Sequence, residues 1–408
     1  MRVEIVELHP DAVARPAADP RASGELRFGN TIVRLGAAAL PIAEATVAGR
    51  RTAEVRESER LFVVVQKGRI FQQENPDVEV LLDHGRYLLV KLGASESARL
   101  QTPEEPCYAV MPATNGQVIY ERLARPAAVA AAAPAPVDLL SRETFTETLR
   151  SLTGLHSRFS GSAGYRQAIA LCRESLENFG FETVEQGIEV PGFGPSSNLV
   201  ARKAGSAPPA VLVTAHLDSV NIAGGPDALA PGADDDGSGS AGVVTLAQAL
   251  AAADGADGAD GVGFILFGGE EQGLLGSKHF VEAAEHFDRA ALRAVINMDM
   301  IASINPPAPG GTGPLSVLLE GAEVSRKLVD DLADAAFRLT TLEVSRSFNP
   351  FASDHVPFID AGVPAVLTIE GEDSSNNLIH TAGDTFELVD PDLAMQILRM
   401  NMGAILAN

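Results

Sequence analysis

An α/β fold, with a mainly parallel sheet covered by helices on both faces and a small β-rich domain ahead of it, is predicted by three features of this sequence. After residue 138, short apolar runs alternate with amphipathic stretches, as parallel strands and their crossover helices do. Before residue 123 the apolar runs are short, β-branched and broken by Gly, Asn, Pro and Asp. Between them, Arg125-Pro126 leads into an uncharged Ala/Pro-rich stretch through Val137, the composition of a semi-extended linker. The predicted division is a small β-rich accessory domain at 1–123, a linker at 124–137 and the main α/β domain at 138–408.

Residues 61–66, 78–82 and 86–92 are the strand candidates of the first domain. In the second, strands are predicted at 211–215, 263–267, 294–298 and 364–369, and helices at 165–179, 238–253, 274–287 and 325–339. The Gly/Asp repeat at 253–260 reads as a solvated turn in preference to a calcium loop. For the N-terminal domain three roles compete: an inhibitory prosegment, an oligomerisation or substrate-presenting unit, and a folding aid.

The 408 residues carry 31 Lys+Arg against 54 Asp+Glu, a formal net charge of -23, which argues against a nucleic-acid or anionic-membrane partner. Residues 1–137 are nearly balanced, so the acid excess lies in the C-terminal part. No apolar run reaches the roughly 18 residues of a membrane span, and the N-terminus lacks the basic-then-apolar layout of a signal peptide. As written the chain reads as soluble and cytoplasmic, a secreted or periplasmic location requiring that a signal had been removed. Cys107 and Cys172 fall in different predicted domains, so neither a disulfide framework nor a metal knuckle is expected. Oligomeric state is left open.

In an open α/β sheet, ligands bind beyond the carboxyl ends of the strands, so polar residues just past each apolar run carry the chemistry. The first such run ends in His216-Leu217-Asp218, where an imidazole can coordinate a metal while the carboxylate orients its other nitrogen. Alone, the triplet fits a structural histidine equally well. Gly-Ala-Asp-Asp-Asp-Gly-Ser-Gly (232–239) sets three carboxylates at a helix start. One would suffice as a cap, and three adjacent like charges favour a divalent cation. Glu270 and Glu271 follow the next strand, and adjacent residues in extended backbone point apart, so one can bind metal while the other faces a reacting water. An exposed loop pair is the alternative. Asp299 sits among apolar residues and needs a partner, and His380 lies in a Gly-containing loop. Two imidazoles and several carboxylates suit zinc, with manganese or cobalt as alternatives.

The ordered series His216-Leu217-Asp218, the Asp triplet, Glu-Glu-Gln-Gly-Leu-Leu-Gly-Ser (270–277), Asn-Met-Asp-Met (297–300), Ser-Asp-His-Val-Pro-Phe (353–358) and Ile-His-Thr-Ala-Gly-Asp-Thr (379–385) resembles the two-zinc aminopeptidase family of bacterial leucyl aminopeptidases and glutamate carboxypeptidase-like enzymes. His-Ser-Arg-Phe-Ser-Gly-Ser (156–162) and residues 196–205 add to the likeness, which covers roughly 139–408. The resemblance implies one metal on His216 and Asp299, a second on Glu271 and His380, and Asp235 bridging both. It implies Glu270 as general base, Asp218 orienting His216, and Ser353, Asp354 and His355 as supporting structure. The implied substrate is a peptide or aminoacyl compound with a free N-terminus. Met300, Phe348, Phe351 and Ile379 are candidates for an apolar substrate pocket, with core packing an equal alternative.

One departure stands out. The family often places a tyrosine near the developing oxyanion, yet the last tyrosine here is Tyr165; Asn376 and Asn377 are the replacement candidates. Related two-metal carboxypeptidases and deacylases carry an inserted lid, for which the stretch between Asp299 and His380 leaves no room. A one-metal glutaminyl cyclase fits less well with both imidazoles and the acidic set present, and a catalytically silent binding module would be expected to have lost ligands.

Overall fold

The structure, a computed structural model, describes residues 1–9, 25–35, 46–101, 107–127, 135–253, 261–283, 288, 291–304, 314–371 and 376–408. Most of the Gly/Asp repeat (254–260), the middle of the predicted linker (128–134) and the end of the predicted 274–287 helix lie outside the described residues.

Seventeen strands are described. In chain order they are β1 (Arg2–Leu8), β2 (Glu25–Phe28), β3 (Thr31–Leu35), β4 (Val47–Glu54), β5 (Glu59–Gln66), β6 (Glu79–His84), β7 (Tyr87–Gly93), β8 (Tyr108–Pro112), β9 (Val118–Leu123), β10 (Phe181–Val190), β11 (Gly194–Lys203), β12 (Val211–His216), β13 (Val262–Phe267), β14 (Ala294–Met298), β15 (Ser316–Glu320), β16 (Glu343–Ser347) and β17 (Ala365–Glu370). Thirteen form one mixed sheet in the order β10-β11-β13-β12-β14-β17-β15-β16-β9-β2-β3-β1-β4, and β6-β7-β5-β8 form a second, antiparallel sheet.

The parallel character is concentrated at the centre, where β13, β12, β14 and β17 run side by side. Every residue of β12, β13, β14 and β17 is buried, as expected of apolar strands with both faces covered. Flanking hairpins and reversed strands add antiparallel pairs, β10 with β11, β11 with β13 and β15 with β17, while β15 with β16 and β2 with β9 are again parallel.

Helices cover the centre for readable reasons. Gly239–Ala252 is apolar almost all round and is buried between the sheet and its neighbouring helices. Arg326–Leu339 is amphipathic and turns Leu328, Val329, Leu332 and Ala336 inward. Ala163–Asn178 opens at Ser162, whose hydroxyl accepts from the Tyr165 amide. Pro391–Ile405 opens at Asp390, whose carboxylate accepts from the amides of Asp392 and Leu393, with proline in its first turn. Between Asp299 and His380 the described residues are strands of the sheet and its covering helices, not an inserted lid.

The N-terminal strands join this sheet directly. β9 pairs antiparallel with β16 through Val344 and Leu123, Ser345 and Arg122, and Arg346 and Glu121. Around that seam the Ser347 hydroxyl donates to the Ile119 carbonyl at 2.7 Å, and Arg346 pairs with Glu121 at 3.1 Å. One apolar core is shared: Val63, Val65, Tyr87 and Leu89 pack in the same cluster as Met300, Leu318, Leu367, Ile369 and Ile379. Beside it the buried Arg86 guanidinium meets the buried Glu320 carboxylate at 3.1 and 3.2 Å, and the Tyr87 hydroxyl donates to Glu320 at 3.0 Å. Both cysteines are free and buried.

A shared core predicts shared unfolding. Leu367→Ala is expected to cost about 2–5 kcal/mol. Tyrosine fluorescence, which reports chiefly Tyr87, Tyr108 and Tyr120, and far-UV circular dichroism should then shift to lower denaturant together. Separate transitions would show two independent units.

Candidate metal centre

The carboxyl ends of the four central strands converge on one cluster. His216 is the last residue of β12, Asp299 follows the last residue of β14, Glu270 and Glu271 lie three and four residues past β13, and His380 lies in the loop after β17. Asp235 comes from the segment linking β12 to the Gly239–Ala252 helix. Two groups could each hold a metal ion: His216, Glu270 and Asp299, and Asp235, Glu271 and His380.

Asp235 stands between them. Its Oδ1 lies 3.1 Å from His216 Nε2 and its Oδ2 lies 3.0 Å from His380 Nε2. Asp299 Oδ1 is 3.6 Å from His216 Nε2, and Glu271 Oε2 is 3.1 Å from His380 Nε2. A pair of cations fits this set on a direct observation: His216 Nε2, both Asp235 oxygens, Glu271 Oε1, Asp299 Oδ1 and His380 Nε2 are buried and have no hydrogen-bond partner. Buried polar atoms are ordinarily paired, and six orphans facing one another make a ligand set.

The surrounding residues orient these atoms. His216 Nδ1 lies 3.1 Å from the Asp218 carbonyl oxygen, so a proton there leaves the Nε2 lone pair facing the cluster. The Asp218 carboxylate accepts from the amides of Glu270 and Glu271, each at 3.3 Å, and so fixes the backbone of both glutamates. Ser353 donates to Asp299 Oδ2 at 2.7 Å and accepts from Asn297 at 2.9 Å. The turn before Glu270 needs a residue without a side chain, since a Cβ on Gly268 would lie 2.4 Å from the Tyr165 hydroxyl.

The Asp triplet divides its work. Asp236 accepts from the amides of His216, Gly239 and Met300, and Asp234 accepts from the Ala302 amide and the Asn376 side chain. Asp384, from the same loop as His380, accepts from the amides of Asp234 and Asp235. Adjacent carboxylates thus avoid one another by taking separate backbone partners, and Asp235 alone of the three faces the metal cluster.

Electrostatics mark the cluster as short of positive charge. Burial pushes the Glu270 carboxyl up to about 8 against the pull of Lys67 and His216. Burial acts to raise Asp299 too, but Lys67 and His216 bring it down to about 2. For His216 burial favours the neutral ring, yet Glu270, Asp218, Asp235 and Asp299 outweigh it and raise its pKa well above the usual value.

Other expected residues are placed less centrally. Asp354 is buried with both oxygens unpartnered, and burial raises it to about 7. His355 is buried 3.7 Å from Glu320, with neither ring nitrogen hydrogen-bonded. Met300 and Ile379 belong to the core shared with the N-terminal strands, Phe351 packs against it, and Phe348 lies beneath Arg326 and Arg346. The Asn376 amide group is spent on Asp234, Asn377 is exposed, and the Tyr165 hydroxyl donates to the Ser197 carbonyl.

Three contributors escape the sequence reading. Arg158 is fully buried and donates to the carbonyls of Leu217, Pro231 and Gly232, clamping the loops that carry Asp218 and Asp235. Lys67, from the N-terminal part, places Nζ 3.0 Å from Glu270 Oε1 and 3.8 Å from Asp299 Oδ2. Cys107 Sγ lies 3.8 Å from His380 Nδ1. Arg158 stands inside a quoted motif, whereas no local pattern marks Lys67 or Cys107.

Comparison with known proteins bears on this centre. Leupeptin-inactivating enzyme 1 of Streptomyces exfoliatus is 31% identical over 255 residues, covering 62% of this chain and 54% of that protein, so the chain spans about half the length of that relative. Among solved structures, the LapA aminopeptidase of Legionella pneumophila superposes with a TM-score of 0.54 at 16% identity, over 85% of this chain and 97% of that one. BSAP, a zinc aminopeptidase from Bacillus subtilis, superposes with a TM-score of 0.52 at 16% identity, over 67% of this chain and 95% of that one. These likenesses are of fold, and the LapA match is too long to be confined to residues 138–408. The sequence model of peptidase family M28 matches residues 198–405, about half of the chain and every residue from His216 to His380 described above, and the chain belongs to that family.

Proposed function

We propose that this protein is a dinuclear zinc-dependent exopeptidase, an aminopeptidase that removes N-terminal residues from peptides, with residues 138–408 as its catalytic unit and 1–123 as an accessory unit joined through 124–137. The observation that carries the reading is Asp235, with one unpartnered oxygen turned to each of two histidines. His216 and Asp299 would hold one zinc, Glu271 and His380 the other, and Asp235 would contribute to both. The kinship with zinc aminopeptidases supports this metal and this activity.

Bound zinc supplies a lowered pKa for water and polarises the scissile carbonyl. The protein's own part is proton handling and orientation. Glu270, free of any ligand duty, takes the proton of the attacking water and delivers it to the leaving amine. Asp218 positions both the base and His216, since it binds the two glutamate amides and the histidine's distal side. Ser353 fixes Asp299.

Each role has its test. Glu270→Gln is expected to lower turnover about 10²–10⁴-fold while zinc content, measured by atomic emission, stays unchanged. Wild-type turnover in that variant removes Glu270 as the base. Ser353→Ala should weaken zinc binding about 10–100-fold in chelator competition. Asp235→Ala should retain at most one zinc ion. For the substrate, zinc-loaded protein should cleave a leucine anilide at least about 100-fold faster than its N-acetylated form; equal rates would refute recognition of a free amine.

A further inference from the structure

Ahead of their last residues, three of the central strands are apolar but for one position each: Thr214 in β12, Asn297 in β14 and Thr368 in β17. All three side chains are buried. A polar group inside a sheet covered on both faces is costly unless it is hydrogen-bonded, so the bonds of these three show what they are for. Thr214 and Asn297 are register partners across β12 and β14. The Thr214 hydroxyl donates to Asn297 Oδ1 at 2.7 Å, Asn297 Nδ2 donates to Ser353 Oγ at 2.9 Å, and Ser353 donates to Asp299 Oδ2 at 2.7 Å. The path runs from the middle of β12 to a ligand candidate of the metal centre.

This path has one direction. An ionised carboxylate only accepts, and a serine hydroxyl has a single proton to give. Ser353 therefore spends its proton on Asp299 and accepts from Asn297. That turns the Asn297 amide nitrogen toward Ser353 and its oxygen toward Thr214, whose hydroxyl supplies the proton the oxygen needs. At the far end the Asp299 carboxylate is divided: Oδ2 is held by Ser353, and Oδ1 is left unpartnered 3.6 Å from His216 Nε2. Asp235 carries no such tie on either oxygen. Thr368 lies on a separate branch. Its hydroxyl accepts from Asn401 at 3.1 Å and donates to the Asn297 carbonyl at 3.3 Å, which touches the backbone and not the Asn297 amide group.

We propose that Thr214 and Asn297 are positioning residues for the metal centre: acting through Ser353, they restrict Asp299 to one ligating oxygen, so that it serves a single ion while Asp235 serves two. The proposal rests on the metal-binding part of the reading above and is independent of the peptidase part.

The test is zinc affinity of the full-length protein by chelator competition, with the fold checked by circular dichroism. Thr214→Val keeps the shape of the side chain and removes its hydroxyl; Thr214→Ser keeps the hydroxyl and removes a methyl group. Val is expected to weaken one of the two zinc ions at least about threefold, less than Ser353→Ala because it acts at two removes, and Ser to stay within about twofold of the wild type. In the Ser353→Ala background, Thr214→Val should add no further loss, since the path is already cut. Thr368→Val removes a buried hydroxyl from the other branch and should leave zinc affinity unchanged. Should Thr214→Val not fold, Asn297→Leu breaks the same path and is expected to weaken zinc about tenfold.

Wild-type affinity in Thr214→Val overturns the proposal. So does an equal loss in the Val and Ser variants, which would make the effect one of packing, and so does an undiminished loss in the Ser353→Ala background. A loss in Thr368→Val as large as in Thr214→Val overturns it as well, because any buried hydroxyl would then serve. Wild-type protein that takes up no zinc refutes the metal reading and this proposal together, whereas the expected affinities in a protein that cleaves no peptide uphold the positioning path and refute the peptidase reading alone.

Discussion

The contact on which this structure turns is Asp235 set between His216 and His380, one oxygen to each. Around it Glu270, Glu271 and Asp299 are withdrawn from water, and carboxylates in that state are costly unless cations or hydrogen bonds compensate them. Backbone amides do not reach these oxygens. They are directed instead to Asp234, Asp236 and Asp218, which shape the loops. The division leaves a set of orphaned ligand atoms whose natural complement is a pair of divalent ions.

Everything nearby serves to keep those atoms converged. Four parallel strands end on one edge: His216 and Asp299 stand at or directly past the ends of β12 and β14, the two glutamates follow β13 closely, and the longer loop after β17 brings in His380. Strand order, not sequence order, makes them neighbours: β12 lies between β13 and β14, and β14 lies against β17. Arg158 then staples the loops from below through three carbonyls, and Ser353 reaches across from the segment before the His355–Asp360 helix to hold Asp299. A rigid frame of this kind is what a two-ion centre needs, because small errors in ligand position weaken binding steeply.

The N-terminal strands are woven into that frame. Pairing of β9 with β16 makes one sheet of both parts, and residues such as Leu367 and Ile379 pack against Val63 and Leu89. An ammonium group from this part meets Glu270, so the N-terminal region and that buried carboxylate form a single electrostatic unit.

The central strands were legible in the sequence because they depend on local patterning, whereas the candidate ligand residues came from the resemblance of the motifs that follow them. The run Val211–Ala215 is wholly buried as a parallel strand covered on both faces, and polar residues directly after such a strand fall at the ligand-binding edge. Strands such as Phe181–Val190, with one solvated face and scattered apolar positions, gave no comparable signal. The resemblance singled out Asp235 within the Asp triplet, but the physical reason it faces the candidate cluster lies in backbone direction at a bend and the amides within reach, neither of which is written in three identical residues. Lys67 reaches Glu270 across 203 residues of chain. A lysine after a strand and before a glycine reads as a surface turn, and only the docking of one sheet against another, driven by burial of a shared apolar core, placed its charge beside Glu270 and Asp299.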